Sequence, residues 1–224
     1  MTTERFLAVF GYRFRDPALL QQALTHRSLG PVNNERLEFL GDSLINFIIG
    51  AALYNAQPQA EEGALSRLRA SLVREEALAK IARGLELGEV LHLGESELKS
   101  GGYTRDSILG DALEALVGAV FIDGGFEAVR ETCLKLFAPL LESLPDAESL
   151  KDSKTRLQEW LQARARPLPR YEVLAESGPA HARRFVVVCQ LADAAVAAEA
   201  EGSSRRSAEQ DAAQKMLENL GASA

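Results

Sequence analysis

Four carboxylates stand in two stretches of the chain that are otherwise almost entirely apolar. Glu38 and Asp42 are four residues apart, and Asp111 and Glu114 are three residues apart. At these spacings each pair lies on one face of a helix, where like charges repel each other. Burial of such charges without partners costs several kcal/mol each. The pattern therefore indicates a ligand that neutralises them.

A hard divalent cation is the ligand that this set of side chains predicts. Mg²⁺ prefers oxygen ligands and keeps several of its waters when a protein binds it. A cation held there can activate a water and stabilise the charge of a phosphoryl transition state. The alternative is a solvated helix face, which is what a single acidic pair usually marks. Two pairs, each isolated in an apolar helix, favour the metal site.

Neighbouring residues refine this prediction. Glu35 lies one turn before Glu38 on the same helical stripe. Arg36 and Arg105 are the cations nearest in sequence, too few to neutralise four carboxylates. Glycines within the two stretches would let the helices approach closely, and they are Gly41, Gly110 and Gly118.

The elements that must position these residues are mainly helical up to residue 145. Segments 34–55, 62–73, 75–85, 106–122 and 126–144 are rich in Leu, Ala and Glu and are separated by Gly, Pro or polar clusters. No apolar run approaches the length that spans a bilayer, and the N-terminus lacks the features of a secretion signal. This part holds 14 of the 25 basic and 20 of the 32 acidic residues, so it carries −6 of the net charge of −7.

The pattern changes after residue 145, where the apolar periodicity lapses and Pro145 interrupts the chain. We predict a first domain at 1–145, a linker at 146–151 and a small second domain at 152–221. Within the second domain, 153–165 and 205–220 are expected to be helices, and 171–175, 185–191 and 194–200 to be strands. The predicted order is helix, three strands, helix.

The two cysteines, Cys133 and Cys189, lie far apart in apolar surroundings. Reduced core thiols of a cytosolic protein explain them better than a disulfide or a metal site.

The acidic segments also resemble a known family, bacterial ribonuclease III. Its signature motif is similar to Asn34-Glu35-Arg36-Leu37-Glu38-Phe39-Leu40-Gly41-Asp42-Ser43. A second motif resembles Ala23-Leu24-Thr25-His26-Arg27-Ser28, and a third resembles Arg105-Asp106-Ser107-Ile108-Leu109-Gly110-Asp111-Ala112-Leu113-Glu114-Ala115. The resemblance extends in order over essentially the whole chain. It implies an all-α endonuclease domain followed by an α-β-β-β-α double-stranded-RNA-binding domain.

The resemblance also implies roles for the acidic residues. Glu38, Asp42, Asp111 and Glu114 match the metal-binding carboxylates of the family, with Asp42 and Glu114 in the catalytic role and Glu114 a direct ligand. Glu35 matches an auxiliary acidic position. Mg²⁺, which Mn²⁺ can replace, would support hydrolysis to 5′-phosphate and 3′-hydroxyl ends.

The way such enzymes assemble and work in the cell is implied in the same way. The resemblance implies a cytoplasmic homodimer formed through the catalytic domain, with one cluster facing each strand of the duplex and offset cuts that leave short 3′ overhangs. Expected substrates are duplex regions of ribosomal RNA precursors, transfer RNA precursors and some messenger RNAs. No membrane partner is expected.

Three blocks of the second domain are similar to the RNA-binding domain of the family. The first helix would offer Lys154, Thr155, Gln158 and Glu159 to the minor groove, and the loop after the first strand would offer His181. The start of the last helix, with Arg205 and Arg206, would bind phosphate through its N–H groups and its charge. Ser207 stands where some relatives carry a third basic residue. An arginine pair alone would more often mark a solvated helix start, and the three blocks together favour RNA binding.

Three further residues keep alternative interpretations. His26 could act as a general base, but a capping or packing histidine is the better interpretation. Arg105 could pair with the carboxylates or contact phosphate. Trp160 is expected to anchor the core and not to stack on bases.

Two other functions compete with the nuclease. A protein that binds duplex RNA without cutting it would leave the carboxylates unexplained. A metal-dependent hydrolase of small phosphorylated molecules would leave the second domain unexplained.

Overall fold

The structure, a computed structural model, describes residues 2–147, 149–179 and 182–222. They fall into two compact units, Met1–Leu150 and Lys151–Ala224. Residues 146–151, the predicted linker, hold turns and bends where they are described. Leu150 packs against the core of the first unit, and the carbonyl oxygen of Ala147 accepts a hydrogen bond from Arg67 Nε at 3.1 Å.

The first unit is helical among its described residues, as the sequence predicts. Its helices are α1 (Thr3–Phe10), α2 (Pro17–Ala23), α3 (Glu35–Ala56), α4 (Glu62–Val73), α5 (Glu75–Gly84), α6 (Glu95–Lys99) and α7 (Asp106–Glu142). Short 3₁₀ turns lie at Arg27–Leu29, Leu87–Glu89 and Gly102–Thr104. The core is built mainly where α3 packs along α7 and α5 packs against α7.

A break interrupts the long helix α7 near its middle. Gly125 has φ 79° and ψ −173°, which is not helical, so the two helices predicted at 106–122 and 126–144 are joined across a kink. Asp123 lies just before the kink, and its carboxylate accepts hydrogen bonds from the Tyr12 hydroxyl at 2.7 Å and from the Arg15 and Asp16 backbone N–H groups at 2.8 and 2.9 Å. These bonds tie the kink to the segment between α1 and α2.

Helix α3 is also notable for its composition. By length and hydropathy it could span a membrane, and among the described residues it is alone in this. The expectation that no apolar run approaches that length is therefore wrong for α3. Its side chains Ile45, Ile49 and Leu53 are buried in the core that it forms with α7.

The second unit has the predicted order of elements. It consists of α8 (Ser153–Gln162), β1 (Arg170–Ser177), β2 (Arg184–Gln190), β3 (Ala197–Gly202) and α9 (Arg205–Asn219). The three strands form an antiparallel sheet in the order β1-β2-β3. Side chains from both helices and the sheet form a separate core, which includes Leu157, Leu161, Cys189, Ala200 and Met216.

Cys133 is buried in the first unit and Cys189 in the second, and both are free thiols. The prediction of two reduced core cysteines is confirmed. Trp160 is half-buried beside the second core, where the Arg164 guanidinium lies 3.9 Å from its ring centre.

Candidate metal centre and nucleic-acid interface

Two glycines allow α3 and α7 to touch backbone to backbone. A Cβ atom on Gly41 would overlap the backbone oxygen of Glu114, and one on Gly118 would overlap that of Leu37. The predicted close approach is confirmed for these two glycines. Gly110 faces α5 instead, where a Cβ would make an ordinary contact of 3.7 Å with Leu78.

This close approach brings three carboxylates together. One carboxylate oxygen from each of Glu38, Asp111 and Glu114 lies within 4.8 Å of the other two. All three side chains are half-buried. Because the donors are carboxylate oxygens, the group fits a hard divalent cation that completes its coordination with water.

The structure places Asp42 and Glu35 beside this group and not within it. Asp42 is exposed, and its carboxylate accepts a hydrogen bond from Asn46 Nδ2 at 2.8 Å. Glu35 is exposed and lies 3.4 Å from the Arg27 guanidinium. Two of the five acidic residues singled out in the sequence thus flank the three that converge.

Burial and mutual repulsion disfavour the charged forms of the cluster. The pKa of Glu114 is raised to about 8, first by burial and then by the charges of Asp42, Asp111 and Glu38. Burial also raises the pKa of Glu38, and the charges of Asp111 and Glu35 add to it. Burial and then the charge of Glu75 raise the pKa of Asp111. A bound cation would reverse these shifts by favouring the deprotonated carboxylates.

The arginine whose charge acts on the cluster is not one of the two expected from the sequence. Arg105 forms an ion pair with Glu97 at 3.0 Å. Arg27 pairs with Glu35, and its charge lowers the pKa of both Glu38 and Asp111. Sequence analysis missed Arg27 because it lies outside the helices, on a turn that only the fold brings to the cluster.

The turn that carries Arg27 is firmly anchored. His26 precedes it and is buried, and its Nδ1 accepts a hydrogen bond from the Ser28 backbone N–H at 3.2 Å. The His26 backbone N–H donates to the His92 carbonyl at 3.0 Å, and the Gly94 N–H donates to Ser28 Oγ at 2.8 Å. His26 is therefore a capping residue, which agrees with the preferred interpretation from the sequence.

Glu75 is a second residue that the sequence did not single out. It lies at the start of α5, and Gly110 of α7 faces its backbone oxygen. Its charge is the largest electrostatic contribution that raises the pKa of Asp111, after burial. The residues that shape the charge of the cluster therefore come from the turn before α3 and from α5, as well as from α3 and α7.

The first helix of the second unit presents only part of the expected RNA-binding set. Gln158 and Glu159 are exposed, Thr155 is half-buried, and Glu159 accepts a hydrogen bond from Lys151 Nζ at 2.7 Å. The Lys154 ammonium lies 2.7 Å from the Glu209 carboxylate and 4.5 Å from the centre of the Tyr171 ring. Lys154 is thus engaged within the unit.

The last helix exposes both expected arginines, Arg205 and Arg206, at its start. Ser204 caps the helix, and its hydroxyl accepts a hydrogen bond from the Ser207 N–H at 3.1 Å, so that N–H is already bonded. Ser207, where some relatives carry a basic residue, is half-buried. His181, expected to contact RNA from the loop after β1, lies outside the described residues.

Comparison with known proteins matches a separate family model to each of the two units. A family model described as Ribonuclease-III-like matches residues 16–141. A second family model, described as Double-stranded RNA binding motif, matches residues 153–220. The two matches cover the helical unit and the α-β-β-β-α unit, respectively.

Curated relatives match over nearly the full length. The chain is 59% identical to the Ribonuclease 3 of Alkalilimnicola ehrlichii over 94% of this chain and 92% of that protein. It is 54% identical to the Ribonuclease 3 of Dechloromonas aromatica over 98% and 99%. A solved nuclease domain of ribonuclease III from Campylobacter jejuni is 42% identical, with a TM-score of 0.60, over 62% of this chain and 97% of that one. The chain therefore belongs to the ribonuclease III family, the metal-dependent endoribonucleases that cut double-stranded RNA.

Proposed function

We propose that Glu38, Asp111 and Glu114 hold a Mg²⁺ ion, for which Mn²⁺ can substitute, and that this site hydrolyses duplex RNA. The observation that carries the proposal is the convergence of three half-buried carboxylate oxygens within 4.8 Å of one another. The bound ion would supply an activated water and charge stabilisation for the phosphoryl transition state. The expected products carry 5′-phosphate and 3′-hydroxyl ends.

The acidic residues of the site then have distinct roles. Glu114 has the most strongly raised pKa of the three, so it gains most from a bound cation and is our principal catalytic ligand. Asp42 is the second catalytic residue, and it adds the strongest carboxylate charge acting on Glu114. Glu35, held by Arg27, serves as an auxiliary acidic group at the edge of the site.

We assign the binding of RNA to the second unit. Thr155, Gln158 and Glu159 lie three and four residues apart, so they share the face of α8 that would follow a minor groove. Arg205 and Arg206 would bind phosphate at the start of α9. Lys154 would act through its contacts inside the unit, and a role for His181 stays a prediction.

A homodimer would place one cluster against each strand of the duplex and give offset cuts with 3′ overhangs. Large apolar side chains stand exposed on α3 and α7, including Phe39, which is 77% exposed, and Phe126, which is 40% exposed. The rings of Phe47 and Phe126 lie 6.0 Å apart across these helices. The related nuclease domain from Campylobacter jejuni is described as structurally flexible in a region involved in dimer formation. Exposed aromatic side chains of this kind are typical of protein–protein interfaces.

In the cell, we propose that the enzyme acts in the cytoplasm on duplex regions of ribosomal RNA precursors, transfer RNA precursors and some messenger RNAs. This assignment rests on the family to which the chain belongs. We also retain the predicted division into a catalytic domain at 1–145, a linker at 146–151 and an RNA-binding domain at 152–221.

A long perfect RNA duplex, incubated with and without Mg²⁺, tests the proposal. The wild type should shorten it only with the metal present, and Glu114→Gln should cut at least about a hundredfold more slowly while binding the duplex normally. Metal affinity, measured by calorimetry, should fall in the same variant. A wild type that binds the duplex but leaves it intact with Mg²⁺ or Mn²⁺ would favour the non-cutting RNA-binding protein.

A further inference from the structure

A carboxylate of the second unit lies between cations of two different helices. Glu209, on α9, accepts a hydrogen bond from Lys154 Nζ of α8 at 2.7 Å through Oε2. Its other oxygen, Oε1, accepts one from Arg205 Nε at 2.9 Å. The Glu209 side chain is only 12% exposed, whereas that of Arg205 is 65% exposed. Glu209 therefore connects the interior of the unit to an arginine on its surface.

Further contacts fix this connection in place. The backbone N–H of Lys154 donates to Gln210 Oε1 at 3.2 Å, and the Lys154 ammonium lies over the Tyr171 ring. Burial by itself would raise the pKa of Glu209, but its bonds with Lys154 and Arg205 more than offset this and hold its pKa below the usual range. Glu209 is thus charged at neutral pH, and the starts of α8 and α9 are joined through it.

The charge of Glu209 has the wrong sign for an RNA-binding surface. A carboxylate one helical turn from an arginine that binds phosphate repels the same phosphate, because both interactions follow Coulomb's law. Considered as a charge alone, Glu209 should weaken RNA binding. Its hydrogen bond with Arg205 offers an opposite effect, since a fixed guanidinium loses less conformational entropy when it binds.

We propose that Glu209 is a positioning residue, which orients Arg205 for a phosphate of duplex RNA while it holds α9 against the start of α8. This inference rests on the proposed RNA-binding role of Arg205. It assigns Lys154 and Glu209 to the support of the RNA-binding surface and not to direct contact with RNA.

The test compares Glu209→Gln with a matched variant in the full chain. A labelled perfect RNA duplex is titrated without divalent metal, so that no cleavage occurs, over a series of salt concentrations. Glu209→Gln should weaken binding about three- to tenfold and lower the slope of log affinity against log salt by about one, as loss of one phosphate contact does. Glu218→Gln removes a carboxylate from the far end of the same helix and should leave affinity unchanged or slightly tighter.

A double-mutant cycle with Arg205→Ala separates positioning from a general loss of structure. If Glu209 acts through Arg205, adding Glu209→Gln to Arg205→Ala should not weaken binding further. Independent weakening in that background would overturn the inference, and so would equal or tighter binding by Glu209→Gln alone. Normal binding by Arg205→Ala would overturn the proposed RNA contact as well, so the two failures can be distinguished.

Discussion

Half-buried carboxylates have opposite electrostatic surroundings in the two units of the chain. In the first unit, Glu38, Asp111 and Glu114 converge on one another, and burial raises the pKa of each. In the second unit, Glu209 is held between Lys154 and Arg205, and its pKa is lowered. A carboxylate that is paired with cations of its own fold has a structural role. Carboxylates that repel one another, with no ion pair of their own among the described residues, indicate a cation from outside the chain.

The two groups of carboxylates also differ in the contacts that hold them in place. Backbone atoms make the close contact between α3 and α7, which holds the first cluster in place. A change of side-chain conformation therefore cannot move the carboxylate-bearing helices apart. Side-chain hydrogen bonds fix the second group. Repulsion in the first unit is therefore built into the packing of the helices, and it persists until a ligand removes it.

The largest expected effect comes from filling the contact between α3 and α7. Gly41→Ala should destabilise the protein by about 3 kcal/mol, because its Cβ would overlap the backbone of Glu114 and overpacking outweighs the better helix propensity of alanine. Denaturant unfolding measures this, and calorimetry should show weaker Mg²⁺ binding. Gly84→Ala, where nothing lies within 4 Å of the new Cβ, should be neutral or slightly stabilising.

A smaller effect should follow from removing the repulsion itself. Glu114 has a folded pKa of about 8 against a reference of 4.5, so between these values the folded protein holds a proton that the unfolded chain releases. Without metal, the contribution of Glu114 to stability is therefore most favourable at low pH and is lost as pH rises through this range. Glu114→Gln should flatten the profile and stabilise the metal-free protein at pH 8.5 by roughly 2 kcal/mol, after solvent screening is allowed for.

Thermal unfolding in chelator across this pH range measures the effect. Glu131→Gln, which removes an exposed carboxylate from the same helix, should keep the wild-type profile. Lower stability of Glu114→Gln at high pH would mean that Glu114 is already paired in the fold, and the contrast between the units would fail. Glu38→Gln should act in the same direction as Glu114→Gln, because burial also raises the pKa of Glu38.

Substitutions in the second unit should change the affinity for RNA and not the affinity for the metal. Replacement of both Arg205 and Arg206 by Ala should lower the salt slope of duplex binding by about two and weaken binding roughly tenfold. Mg²⁺ binding to the first unit should be unchanged. Arg164→Ala removes one positive charge just after the end of α8, and a loss of log affinity half that of the double variant would show that net charge alone sets RNA binding.

The smallest effect concerns Arg27, the cation that partly offsets the carboxylates of the first unit. Its ion pair with Glu35 is exposed, so Arg27→Gln should destabilise the metal-free protein by less than about 1 kcal/mol. This loss should shrink in Mg²⁺, because the metal then supplies the neutralising charge. Arg130→Gln disrupts an exposed pair with Glu127 and should cost the same with and without metal. Equal losses for Arg27→Gln in both conditions would show that its charge does not serve the cluster.

Much of this organisation follows from sequence because the decisive signals are local. Helical periodicity predicts the helices, and the three-residue spacing of Asp111 and Glu114 predicts their shared face. The four-residue spacing of Glu38 and Asp42 predicts a shared face as well, but Asp42 is exposed and lies beside the converging group. The predicted start of α4 at Glu62 and its end at Val73 agree with the structure. The small residues at 41 and 118 predict that two helices touch.

The features that sequence does not reveal depend on contacts between distant segments. Arg27 reaches the cluster because His92 and Gly94 anchor its turn, and no local pattern announces that pairing. Lys154 was expected to contact RNA because the sequence does not reveal its ion pair with Glu209, which lies far along the chain. The short helices α1 and α2 were also not predicted, although Asp16 followed by Pro17 is a recognisable helix start.

The glycine contact between α3 and α7 also has a consequence for how the protein folds. The two helices are separated in sequence by α4, α5 and α6, so their contact closes a long loop and must follow slower, non-local events. We therefore expect the carboxylates to meet late in folding, after most of the surrounding helices have formed. An ion that binds only the completed site should slow unfolding while leaving the refolding rate almost unchanged. Divalent metal would in this way prolong the lifetime of the folded enzyme, in addition to its part in cleavage.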